Sequence, residues 1–172
     1  ACMRWAVLAA ARHNGPVYIR SSREALPHIY PEGYPFALGR ANVVREGRDV
    51  TLVACGLMVA VALDAAVLLE RDGIEARVLD VHTLRPLDVD SIAAAARETG
   101  AIVTAEEHLI RGGLGAVVAQ AVVNTWPVPV RHVGLNDVYS ASGSVEELMA
   151  KYGMTARHIA AAAHEAIAAK RR

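Results

Sequence analysis

Two cysteines in 172 residues, Cys2 and Cys55, share no motif spacing, which excludes a disulfide framework and a cysteine-based zinc site. Charge of one sign is missing as a surplus: 18 basic residues face 18 acidic ones. No concentrated basic face is therefore available to nucleic acid or to an anionic membrane, and neither is expected as a partner. The basic tail Lys170-Arg171-Arg172 is too short to alter this. Long apolar runs are also absent. The uncharged stretch between Asp49 and Asp64 is short of the ~20 residues a spanning helix needs, and Cys55-Gly56 breaks it. His13, His28, His82, His132, His158 and His164 have no ligand spacing, so no metal is expected. The segment from Ala1 to Arg12 is patterned as a helix in which Arg4 and Trp5 interrupt any apolar signal core, so a cytoplasmic location is the default expectation. Repeats and low-complexity tracts are lacking, and the alanine runs 93–96 and 160–163 favour helix and close packing.

What is present is 53% apolar residues in a regular alternation of short β-branched runs and helical patterns. A helix over 4–12 stops at Asn14-Gly15 and is followed by a predicted strand, Val17 to Arg20. These two elements cannot bury themselves alone, so they either join the main sheet or close a preceding domain. From Ser21 to Gly39 three prolines and two glycines mark an irregular linker. Beyond it the pattern predicts strands over 42–45, 50–55, 75–81, 101–105 and 128–133. Helices are expected over 57–71, 89–99, 114–124, 144–151 and 155–170, with Thr155 capping the last and Gly153 ending the one before it. Strands separated by helices require parallel pairing with right-handed crossovers. The expected fold is α/β, a three-layer αβα sandwich on a mostly parallel five-stranded sheet. The tight spacing at Glu46-Gly47-Arg48-Asp49 adds one antiparallel edge strand, 42–45, in a hairpin-like arrangement.

Chemistry in such a sheet gathers at the carboxyl ends of the strands. After the second strand, Gly56 opens a helix whose amides suit an anion, or it serves a tight turn; no lysine or serine-threonine pair completes a phosphate loop. Glu106-Glu107-His108-Leu-Ile-Arg111-Gly112-Gly113-Leu-Gly115 holds the ingredients of acid-base work, and equally those of a structural or subunit contact centred on Glu107, His108, Gly112 and Gly113. In Arg20-Ser21-Ser22-Arg23-Glu24, two guanidiniums at a strand end form either a clamp for phosphate or carboxylate, or a surface ion pair with Glu24. Between the third strand and its helix, Asp80-Val-His-Thr-Leu-Arg-Pro-Leu-Asp88 is a punctuated turn: Pro86 stops the strand and Asp88 can cap the helix.

These segments, in order, resemble the C-terminal third of the thiamine-diphosphate-dependent transketolases over the whole chain. Gly15-Pro-Val-Tyr-Ile-Arg-Ser-Ser-Arg-Glu-Ala-Leu-Pro27 is similar to the segment closing that family's pyrimidine-binding domain. Thr51 to Gly56, Asp80 to Asp88, Glu106-Glu107-His108 with Gly112-Gly113-x-Gly115, and Ser142 to Leu148 with Lys151-Tyr-Gly153 follow in family order. The wording is closest to transketolases encoded as separate N- and C-terminal subunits. The resemblance implies that residues 1–30 end a pyrimidine-binding domain, 31–39 are linker, and 40–172 are the C-terminal domain. It implies that Arg23 binds the phosphate of the sugar substrate at the channel rim, and that this chain holds no catalytic residue. Thiamine diphosphate and Mg2+ would be bound by an N-terminal section or subunit, none by this chain alone, in a homodimer acting on phosphosugars. The β subunits of 2-oxo acid dehydrogenases and deoxyxylulose-phosphate synthase share the fold and the Pro-Leu-Asp loop, and the Ser22-Arg23 pair with Leu26-Pro27 favours the transketolase reading over them. Outside the family, the alternative is a non-catalytic module holding an anion at the helix start over 112–115.

Overall fold

The structure, a computed structural model, describes residues 2–22, 24–31, 33–34 and 36–170. Helix α1 (Cys2–Arg12) is followed, after an irregular segment, by β1 (Asn42–Arg45), β2 (Val50–Ala54), α2 (Met58–Arg71), β3 (Ala76–Asp80) and α3 (Val89–Thr99). Then come β4 (Ile102–Leu109), α4 (Leu114–Thr125), β5 (Val130–Leu135), α5 (Val145–Lys151) and α6 (Ala156–Ala169). The sheet order is β1-β3-β2-β4-β5, with β1 antiparallel to β3 and all other pairs parallel. The expected α/β sheet with one antiparallel edge strand is what forms. No helix is long and apolar enough to cross a membrane among the described residues.

The period of two along each strand decides which helices cover which face. Val50, Leu52 and Ala54 of β2, Ala76 and Val78 of β3, and Val103 and Ala105 of β4 point to one side, where α2 and α6 pack on them. Val53, Leu79 and Ile102 point to the other, against α3 and α4. Both faces of the central strands are fully covered, which is why those strands read as nearly continuous apolar runs. Alanines at 62, 65 and 66 of α2 and at 160, 163 and 166 of α6 are buried in the first layer, letting these helices lie close to the sheet and to each other.

Three expectations are corrected. Residues 17–20 form no regular element and join no ladder among the described residues, so this segment does not extend the sheet. Its alternating pattern fits a strand, yet a pattern supplies no partner; Val17 and Ile19 stay exposed. The 46–49 hairpin does not form either, because β3 lies between β1 and β2. The chain crosses two strand spacings there, roughly 10 Å, which four extended residues can reach. It does so under the start of β3: the amides of Arg48 and Asp49 both donate to the Glu75 carbonyl at 3.0 Å, and the Glu75 amide donates to Asp49 Oδ2 at 2.8 Å. Lastly, β4 continues through Glu106 to Leu109 instead of ending at Ala105, with a register shift between Ala105 and Leu109 on its β5 side. Charged residues suggested a loop, but Glu106 is buried and bonded within the fold. Thr155 does stand at the start of α6, although its hydroxyl pairs with His158 Nδ1 at 2.8 Å rather than capping a backbone amide.

The crossing under β3 leaves no room for a side chain at Gly47, where a Cβ would lie 2.3 Å from the backbone of Ala76 and Arg77. We expect Gly47→Ala to destabilise the fold by about 1–3 kcal/mol through forced displacement of backbone. The urea midpoint should fall with an unchanged slope, and an unshifted midpoint would show that the crossing is loosely packed.

Candidate functional site at the carboxyl ends of the strands

Parallel pairing of β2, β3, β4 and β5 brings their carboxyl ends to one edge of the sheet. The loop after β3 shapes that edge by holding the segment before β1. Asp80, the last residue of β3 and 4% exposed, accepts a hydrogen bond from the Tyr30 hydroxyl at 2.5 Å. Burial pushes the Asp80 carboxyl up from its ordinary range, with the Tyr30 bond and His82 opposing. Tyr30 itself stacks on Tyr34, ring centroids 4.3 Å apart. Thr83 Oγ1 accepts from the Gly39 amide at 3.2 Å and pairs with His82 Nδ1 at 2.8 Å. The His82 ring lies 4.5 Å from that of Phe36, and burial lowers its basicity while Asp80 opposes.

Pro86 packs on Gly39, whose φ of +78° also demands glycine. Asp88 serves two segments at once. It caps α3 through the Ser91 amide and hydroxyl at 3.2 and 2.9 Å, and accepts from the Ala41 amide at 2.9 Å. Burial works against its ionisation, but the Ala41 and Ser91 bonds, with Arg40 3.8 Å away, outweigh it and hold the carboxyl below the usual range. The Asp, Thr, Pro and final Asp of this turn therefore all grip the linker or the helix that follows.

At the end of β4, Glu106 is 1% exposed and spends both oxygens on the start of α4. Oε2 accepts from the Leu114 amide at 2.6 Å and Oε1 from the Gly115 amide at 2.7 Å. A carboxylate placed on free helix amides also meets the positive end of the helix dipole. Its bulk explains the glycines beside it: a Cβ at Gly113 would lie 1.9 Å from Oε2, and one at Gly115 would lie 2.6 Å from His132 Nδ1. His132 bonds to Thr104 Oγ1 at 2.8 Å; burial lowers its basicity, Glu106 opposes and Arg131 adds to the lowering. This helix start thus binds an internal anion. Sequence reasoning had not singled out Glu106 within its cluster, although a carboxylate just before a Gly-Gly-x-Gly helix start is the signal for it.

The remaining candidates are spread around the same corner. Glu107 is half-buried, and its carbonyl accepts from Arg20 Nη2 at 3.1 Å, so Arg20 is engaged with the domain itself. His108 is exposed and its Nδ1 lies 3.1 Å from the Leu109 carbonyl, so it is not brought to Glu106. Gly112 has φ +85° and forms the turn into α4. Arg111 pairs loosely with Asp137 at 3.8 Å, both exposed. Arg23 lies outside the described residues. Between Asp80 and Glu106 sits Cys55, whose thiol is pushed up to about 12 by burial and then by Glu106, Asp80 and Glu107, with Arg20 opposing. Such a thiol is not a nucleophile at neutral pH. Gly56 has φ +58° and open space around it, as a strand-to-helix turn requires. Among the described residues no group of three His, Cys, Asp or Glu can hold a metal.

Comparison with known proteins matches residues 39–159 to the family described as transketolase, C-terminal domain. The chain is 46% identical over 153 residues to a 6-deoxy-6-sulfo-D-fructose transketolase subunit of Clostridium sp. strain MSTE9, covering 89% of this chain and 48% of that protein. It is 44% identical over 140 residues to an apulose-4-phosphate transketolase subunit of Phocaeicola vulgatus, covering 81% of this chain and 45% of the other. Among solved structures, a split-gene transketolase described as an inactive beta4 tetramer superposes with TM-score 0.94 at 47% identity, over 97% of this chain and 55% of that one. The chain spans about half the length of the curated relatives it matches.

The Glu106 contacts set a measurable expectation. Glu106→Gln keeps the shape but turns one amide donor toward a helix N–H, so the fold should lose about 2–3 kcal/mol in urea unfolding. A loss below about 0.5 kcal/mol would mean that the two amide bonds contribute little.

Proposed function

This chain belongs to the transketolase C-terminal domain family, and on that premise we propose that it is the C-terminal part of a thiamine-diphosphate-dependent enzyme that moves a two-carbon ketol unit between phosphosugars. The observation that carries this reading is the likeness, along nearly the whole chain, to transketolase subunits about twice its length. In this reading residues 1–30 close a pyrimidine-binding domain, 31–39 link, and 40–172 form the C-terminal domain, which contributes assembly surface and the rim of the substrate channel.

The chain's own groups do not fit the cofactor. A diphosphate-bound Mg2+ needs clustered oxygen ligands, and the described residues bring no such set together. The amides of Leu114 and Gly115, which would suit a diphosphate, are bonded to Glu106. Cofactor, metal and catalytic groups then come from the N-terminal section or subunit. Assembly follows the same logic. Trp5, Val7 and Leu8 of α1, with Val17 and Ile19 after it, are 37–51% exposed. Apolar surface of that kind is normally covered by a partner, here the N-terminal section and a two-fold mate in a homodimer. The description of the split-gene relative as inactive in beta-only form supports an inactive isolated chain.

Substrate phosphate is assigned to Arg23, and Glu107, His108, Gly112 and Gly113 to a loop or interface site at the end of β4. A guanidinium gives phosphate a bidentate, charge-assisted contact that neutral sugars lack. In the assembled enzyme, Arg23→Ala should raise KM for phosphorylated substrates about 10-fold or more and leave non-phosphorylated ketol donors nearly unchanged. Equal loss on both substrate types would assign Arg23 a structural part instead. For the chain alone, calorimetric titration with thiamine diphosphate and magnesium should give no saturable heat, and micromolar binding would overturn the division of labour.

A further inference from the structure

The irregular segment before β1 is held at two places that lie on different strands. Its upstream end is fixed by Arg20 Nη2 on the Glu107 carbonyl of β4. Its downstream end is fixed by Tyr30 on Asp80 of β3, with Asn42 Nδ2 donating to the same Tyr30 oxygen at 3.4 Å. Ile29 packs on the core beside it. Further along, Phe36 lies on His82, and the amides of Gly39 and Ala41 are held by Thr83 and Asp88.

In the sheet, β2 lies between β3 and β4. The residues between the two anchors therefore connect the carboxyl ends of the strands on either side of β2. Those described between positions 21 and 28 are all exposed, and their one side-chain bond is the local contact from the Glu24 amide to Ser22 Oγ at 3.1 Å. That Arg20, Asp80, Glu106 and Glu107 all act on the Cys55 thiol, which follows β2, locates both anchors around the same strand end.

A short span whose described residues are exposed and bonded only locally owes its position to its ends. We propose that Tyr30 and Asp80 at one end, with Arg20 and the Glu107 carbonyl at the other, are positioning residues that fix the two ends of the span 21–28 on either side of β2 and so set where its substrate-phosphate contact falls. This rests on the reading that the span carries the phosphate ligand. The side chain of Asp80 is buried under Tyr30, so it acts through the linker and touches no substrate.

Tyr30→Phe keeps the ring that stacks on Tyr34 and removes the hydroxyl, which donates the short bond to Asp80 and accepts the long one from Asn42. In the chain itself, cleavage by trypsin within the span, after Arg20 and Arg23, should accelerate about 3–10-fold, the change expected from one lost net hydrogen bond. The thermal midpoint should stay within a few degrees, separating a loosened span from an unfolded domain. Asp80→Asn retains an acceptor oxygen and should cleave at close to the parent rate. In the assembled enzyme, Tyr30→Phe should raise KM for phosphorylated substrates several-fold with kcat and the KM of non-phosphorylated donors unchanged.

Cleavage at the parent rate in Tyr30→Phe would overturn the proposal. So would faster cleavage with an unmoved KM while Arg23→Ala remains selective for phosphorylated substrates, a result that leaves the phosphate reading intact. Loss of selectivity in Arg23→Ala would instead sink that reading and, with it, the substrate part of the proposal; the cleavage rates then decide the anchoring part alone.

Discussion

A single buried carboxylate constrains the functional edge of this domain. Glu106 has almost no contact with solvent, and an acid in that position costs several kcal/mol unless its oxygens are bonded. Two short bonds from the first amides of α4 meet that need, and in return the helix start has two of its free donors satisfied. The consequences spread outward. Positions 113 and 115 have to be glycine for space, and the room kept at 115 admits the His132 ring against Thr104. The end of β4, the entry to α4 and the adjacent stretch of β5 are thus one unit, and the Gly-Gly-x-Gly pattern is the imprint of an internal anion rather than of a nucleotide.

The turn after β3 supplies the second constraint. A parallel strand needs a way out of the sheet, and this exit carries four bonding or packing positions within nine residues: Asp80, Thr83, Pro86 and Asp88. All four reach residues 44 to 50 positions away in sequence, so the turn sets the path of the linker from Tyr30 to Ala41. Asp88 joins the two duties most directly, because a helix cap has a fixed orientation and its second oxygen then presents a fixed acceptor to the Ala41 amide. The motif's composition follows from this double service more than from the needs of a strand-to-helix turn.

Much of the architecture was legible because its causes are local. Apolar periodicity placed α2, α3, α4 and α6, and the cap at Asp88 and the positive φ at Gly153 marked where helices start and stop. What escaped depends on partners distant in sequence. The run at 17–20 alternates correctly, but alternation does not create a sheet edge beside it. The 46–49 spacing fits a hairpin, and only the insertion of β3 between its two strands turns it into a crossing. Glu106 read as a loop residue because its charge was visible and its two amides, eight and nine residues on, were not. At the strand ends named as sites, three charged groups, Glu106, Arg20 and Asp80, are engaged in holding the domain's own backbone or linker.

That engagement bears on what this domain can contribute to the proposed enzyme. In an open α/β sheet the carboxyl edge is where ligands bind, because helix amides and loops converge there with spare hydrogen-bonding capacity. Here the amides of Leu114 and Gly115 go to Glu106, those of Gly39 and Ala41 go to Thr83 and Asp88, and the one thiol at the edge is held in its neutral form. An edge so occupied is poorly suited to bind a diphosphate or to transfer a proton, and well suited to fix a neighbouring segment in place. In the proposed enzyme the domain's contribution to chemistry is then geometric: a self-satisfied platform to which the linker is tied at Arg20 and again from Tyr30 to Ala41, so that what lies between those anchors is presented from fixed ends.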